Sequence, residues 1–200
     1  GGHFLPSPSP HHIPRPTASV PVPNAQPARR LPARLAAALE APVVAIGNLV
    51  AWCAILMVIV EFAVVLMRYV FGIGSVALQE SVIYLHAATF MLACGAVLAR
   101  DGHVRVDVVY GRIGARWQAL VDLLGALFFV VPLAVLTFHV SLPYVARSWA
   151  ILEGSRETSG LPFVYLLKTL IPAFAVLLAV QGISMALRAL AALATSNGER

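Results

Sequence analysis

Ionisable side chains are scarce in this sequence: Asp, Glu, Lys and Arg together make up 12% of its 200 residues, about half the share found in soluble domains. That scarcity excludes a soluble fold of ordinary composition. Cysteine is scarcer still. Its two copies, Cys53 and Cys94, both fall inside long apolar stretches, where a thiol is an ordinary packing group, so no disulfide framework is expected. Marks of catalysis are missing as well, with no Gly-rich phosphate loop, no zinc-ligand spacing and no nucleophile elbow. The connectors are too short to hold a separate catalytic domain, so the chain does not read as an enzyme.

What it has in abundance is apolar sequence, with 60% hydrophobic residues and a mean hydropathy of +0.84. A hydrocarbon core of ~30 Å needs roughly 20 mostly apolar residues at helical rise. Four windows meet that length: 43–67, 76–99, 119–140 and 161–190. They lack the alternating polarity of barrel strands, and backbone groups in lipid must be satisfied within each segment. The expected fold is therefore an all-α integral membrane protein, a bundle of four transmembrane helices within residues 35–194. A different material precedes it. Residues 1–34 hold nine of the fourteen prolines and read as a disordered, partly polyproline-like tail. The adjacent His11 and His12 in it are incidental by the same reading. Residues 195–200 form a short tail at the other terminus.

Basic residues orient the spans, because short cytoplasmic loops collect Lys and Arg. One side gathers Arg15, Arg29, Arg30, Arg34, Arg100, Arg105, Arg112, Arg116, Arg188 and Arg200; the other has Arg68, Arg147, Arg156 and Lys168. Ten against four sets both termini and the second loop in the cytoplasm. The net charge of +5 then reflects orientation rather than nucleic-acid binding, and the basic loop can meet anionic headgroups of membrane lipids.

Ionisable groups inside spans are costly and need partners. Glu61, Arg68, Glu80 and Lys168 all fall toward the outer leaflet, where an interhelical ion network among them is expected, with Arg68 and Glu80 as one pair. On the second helix, Gln79, Val82, His86, Thr89, Ala93 and Ala96 follow helical spacing and form a small, polar face suited to helix contact. Pro132 and Pro172 are expected to kink the third and fourth spans. Haem ligation by His86 and His139 is disfavoured by a depth offset of roughly 9 Å. No cofactor and no metal site is expected in the chain.

After the second span comes Arg100-Asp101-Gly102-His103-Val104-Arg105-Val106-Asp107, whose charges alternate in sign. Arg100 and Arg105 can pair with Asp101, Asp107 or Asp122 and so lock helix ends. Residues 108–118 mix apolar side chains with Arg112 and Arg116, which suits a short interfacial segment anchored by Trp117.

These elements carry a resemblance. Arg68-Tyr69-Val70-Phe71, Glu80, the run from Arg100 to Asp107, and then Trp149, Glu153, Ser155, Leu161-Pro162 and Ile171-Pro172 resemble the small, DctQ-like membrane subunit of tripartite ATP-independent periplasmic (TRAP) transporters. The likeness covers about three quarters of the chain. One departure is Leu78-Gln79-Glu80, where the family usually opens the second span with a Trp and paired acids. The resemblance implies a subunit of a sodium-coupled secondary transporter in the bacterial inner membrane. Its expected partners are a large multi-span permease and a periplasmic substrate-binding protein, with sodium and an organic acid handled by the permease. On this reading Glu61, Arg68, Glu80, His86, Glu153 and the loop residues Arg100, Asp101, His103, Arg105 and Asp107 serve structure or partner contact. The alternative is an independent homo-oligomeric transporter or channel, for which Glu61, Glu80 and His86 are the available polar groups.

Overall fold

The structure is a computed structural model and describes residues 27–100 and 113–196. Every described element is helical: α1 (Pro27–Tyr69), α2 (Val76–Ala99), α3 (Ala115–Gly125), a π turn (Ala126–Val130), α4 (Val131–Ala150) and α5 (Val164–Ser196). The segments α3, π turn and α4 follow one another without a break and form a third rod, so four helical rods are long and apolar enough to cross a membrane. The 43 residues of α1 extend about 65 Å, well past the expected first window. Its start lies inside the segment expected to be disordered through residue 34. Pro27 occupies the first helical position, where a missing N–H costs nothing, and the helix continues through Pro32 and Pro42. The interfacial segment expected after the second span lies outside the described residues.

The rods alternate in direction. The start of α1, the end of α5, the end of α2 and the start of α3 share what is here called the terminal end, while the turns at 70–75 and 151–163 form the loop end. Packing centres on α5. The helices α1 and α2 lie against each other and against α5, and the third rod runs along α5. Small residues make these approaches possible: a Cβ on Gly47 would collide with Ala96, and one on Gly95 would sit 2.9 Å from Val43 Cγ1 and 3.4 Å from the Leu177 carbonyl. Much of the buried interior is alanine, as expected where dispersion at close range, rather than hydrophobic expulsion, holds helices together.

Large apolar side chains point outward instead. Leu49, Trp52 and Phe62 on α1 and Phe129 on the third rod are all more than 65% exposed, an arrangement that only a lipid or protein surround makes stable. Pro132 has a local consequence. It cannot donate a backbone hydrogen bond and would press on the carbonyl of Phe128, and the helix widens into the π turn directly before it. The widened turn seats on α5 at Gly182, where a Cβ would lie 2.9 Å from Val130 Cγ1.

Candidate functional site

At the loop end the chain builds a corner from residues distant in sequence. The helix α4 stops in a Schellman turn: Leu152 adopts φ +46°, its N–H donates to the Trp149 carbonyl at 3.2 Å, and the Glu153 N–H donates to the Ser148 carbonyl at 3.0 Å. This turn presents the Glu153 carboxylate to Lys168 Nζ at 2.5 Å. The same ammonium lies 4.1 Å from the centroid of the Tyr144 ring, a cation–π position. The hydrogen bond from Lys168 is the main reason the Glu153 carboxyl is held below its ordinary range. Beside it, Trp149 Nε1 donates to Thr169 Oγ1 at 2.9 Å and its ring meets Tyr165 edge to face.

Glu80 closes the corner from the other side. Its carboxylate accepts from the Ser155 hydroxyl and, at 2.6 Å, from the Leu161 N–H. Ser155 N–H in turn donates to the Leu161 carbonyl at 3.0 Å, so the 151–163 loop is tied to the second turn of α2. Gly160 is required here by space, since a Cβ would clash with Ser155 and lie 2.7 Å from Glu80 Oε1. Trp149, Glu153, Ser155 and Leu161, named above from a family pattern, thus converge on one place with Glu80.

The expected ion network does not assemble. Glu80 bonds the loop and Lys168 bonds Glu153, while Glu61 and Arg68 make no ion pair or hydrogen bond among the described residues. The reason is the Schellman turn, which brings a nearer carboxylate to Lys168 than α1 or α2 offers. Arg68 sits exposed in the last turn of α1. The polar face expected on α2 is also divided. Ala96 is buried against Gly47, but Gln79 and His86 are exposed on a face with Ile83 and Phe90, where the His86 ring stacks over Phe90 with centroids 6.5 Å apart. Contact follows the smaller Gly95, Ala96 and Ala99, roughly a quarter-turn around the helix from the expected stripe.

At the terminal end Arg100 caps α2 and donates to the Asn48 side chain of α1, which passes beside it at that level. Asp101, His103, Arg105 and Asp107 lie outside the described residues. Sequence reasoning missed two further ties: Arg188 to Glu40 at 3.0 Å and the buried Ser184 hydroxyl donating to the Ala36 carbonyl at 3.0 Å. It also missed Gln181, a fully buried side chain on α5 whose amide has no partner among the described residues.

What the arrangement offers chemically is limited. Among the described residues no group of three or more His, Cys, Asp or Glu is placed to hold a metal ion. Two cavities among the described residues are apolar and face outward, one between α4 and α5 around Thr137 and Tyr144 and one lined by Ala134, Phe138, Ala175 and Ala179. The remaining oddity is Glu61, exposed on α1 some eight residues before its end. A charge near the centre of a lone span costs roughly 3 kcal/mol.

Four membrane-length rods, an alanine-rich interior and a hydrogen-bonded loop corner define a multi-pass α-helical membrane protein. A family model described as "Tripartite ATP-independent periplasmic transporters, DctQ component" matches residues 57–192, and the chain belongs to that family. It is a small membrane subunit of a TRAP transporter. No curated protein and no solved structure matches it.

Proposed function

We propose that the chain is a scaffold that holds the large permease subunit of a sodium-coupled TRAP transporter, which takes up a small organic acid delivered by a periplasmic binding protein. It does no chemistry of its own. The observation that carries this reading is where the charges lie: in the described spans they either tie loops and helix ends together or stand on the outside of the bundle, while the interior is mostly small and apolar, with Gln181 its largest buried polar side chain. A transport site would need converging polar groups or broken helices near mid-membrane.

The ten-to-four bias of basic residues supports an inner-membrane orientation with both termini cytoplasmic. The loop end then faces the periplasm, on the side where a binding protein delivers its cargo. The test is reconstitution in liposomes. With a sodium gradient and the binding protein, uptake is expected from this chain together with the permease and from neither alone. Uptake by this chain alone would replace the scaffold with an independent transporter.

A further inference from the structure

Between α4 and α5 the fold leaves a groove of about 460 Å³, lined by Leu136, Thr137, Val140, Ser141, Tyr144 and Ile171. It holds no charge. Ser141 spends its hydroxyl on the Phe138 carbonyl at 3.0 Å, so the floor is closed to a polar guest. From Leu136 to Tyr144 the groove follows α4 for about 12 Å at helical rise, which gives it a section of roughly 40 Å². A helix about 10 Å across needs about 80 Å². The space is therefore too narrow for a partner helix and admits an extended acyl chain.

Toward the loop end the groove opens beside a cation. At 100° per residue Leu136, Val140, Tyr144 and Arg147 fall within an arc of about 80° on α4, and all four are exposed. Arg147 folds back along the helix, its Nε donating to the Pro143 carbonyl at 3.2 Å, so the guanidinium hangs over the turn that carries Tyr144. No ion pair among the described residues reaches it. Lys168, the next cation at this level, is already engaged by Glu153 at 2.5 Å and by the Tyr144 ring, 4.1 Å from its centroid. Tyr144, Trp149 and Tyr165 gather near the same helix ends, and aromatic side chains of this kind settle at the level of lipid headgroups. The second cavity, around Phe138 and Val176, makes the contrast: its face of α4 continues through Leu142, Ala146 and Trp149 and meets no charge on that helix.

We propose that the α4–α5 groove binds an anionic phospholipid, with an acyl chain laid along Leu136, Val140 and Ile171 and the phosphate oxygens accepting from the Arg147 guanidinium. The planar guanidinium offers a phosphate two parallel donors. Charge selects the headgroup. With Glu153 engaged by Lys168, Arg147 adds an unanswered positive charge at the mouth, which a headgroup of net negative charge balances, while the ammonium of a zwitterionic one gains nothing beside Glu153. This lipid contact belongs to the subunit itself and does not depend on the scaffold reading.

Native mass spectrometry of the full chain in mild detergent, titrated with phosphatidylglycerol or with phosphatidylethanolamine of the same acyl chains, tests it. The first phosphatidylglycerol is expected to bind about five-fold more tightly than the first phosphatidylethanolamine. Arg147→Gln is expected to bring the two level, and Arg68→Gln, at an exposed arginine of α1 outside the groove, to leave the preference as it is. Phosphatidylglycerol with a photoactivatable diazirine in its acyl chain, in bilayer nanodiscs of the two lipids, is expected to label Leu136, Val140 or Ile171 and to label them less in Arg147→Gln.

Equal affinity for the two lipids, a preference that Arg147→Gln leaves intact, or label gathered instead at Phe138 and Val176 would overturn the site. So would benzoylphenylalanine at Val140 crosslinking to a permease peptide in native membranes, an outcome that would give the groove to the partner and leave the scaffold reading standing.

Discussion

The loop corner and the outer surface of α1 and α2 hold similar side chains in opposite states. At the corner, Glu80, Glu153 and Lys168 each find partners within the chain. On the outer surface of α1 and α2, Glu61, Gln79 and His86 are exposed, and no hydrogen bond or ion pair among the described residues reaches Glu61. The corner is completed by folding, so it belongs to the subunit's own stability. Satisfied polarity here belongs to the fold, and Glu61 stands outside it.

That division can be broken most severely at Glu80. Glu80→Ala strips the acceptor from both the Ser155 hydroxyl and the Leu161 N–H, and losing hydrogen bonds to a charged group is expected to cost about 3 kcal/mol. Thermal unfolding of the isolated chain in detergent measures it. An unchanged melting temperature would mean that the corner is not held from α2. Gly160→Ala attacks the same contact by crowding, and overpacking of this kind costs about 1–3 kcal/mol. If the clash acts by displacing Glu80, the double variant Glu80→Ala with Gly160→Ala will lose less than the sum of the two.

How much of this was legible in the sequence differs by length scale. The four rods could be read because a run of some 20 apolar residues has few other uses, and the family could be read because its motif residues keep their order. The start of α1 could not, since proline density argued for disorder while Pro27 only opened the helix. The corner was half legible. Trp149, Glu153 and Ser155 stood out as a pattern, yet their meeting with Glu80 closes separations of 75 and 81 residues that spacing along the chain does not reveal. Lys168 was assigned to the wrong carboxylates because the Schellman turn at Leu152 carries no glycine, the usual signal for it. On α2 the helical period and the contact at Ala96 were right but the polar half of the face was not, because Gly95, Ala96 and Ala99 set the contact through size rather than polarity.

Leu152 offers a smaller effect of opposite sign. A side chain at φ +46° is held in the left-handed region at a cost of about 1–2 kcal/mol relative to glycine, partly offset by glycine's greater freedom in the unfolded chain. Leu152→Gly is therefore expected to stabilise the corner by about 0.5–1 kcal/mol, seen as a raised melting temperature. A drop would mean that the exposed Leu152 side chain anchors the loop against the membrane more strongly than its backbone is strained.

The smallest expected effect at the corner is read by pH. The Glu153 carboxyl is held below its ordinary value of 4.5, chiefly by the hydrogen bond from Lys168, so the folded state binds its proton more weakly than the unfolded state. Its stabilising contribution is then fully present above that ordinary value and is lost as pH falls through the lowered folded value. The isolated chain should melt progressively lower as acid is added below about pH 4.5. Glu153→Gln should flatten that part of the profile. A profile that Glu153→Gln leaves unchanged would mean that the ion pair with Lys168 adds nothing to the acid stability of the corner.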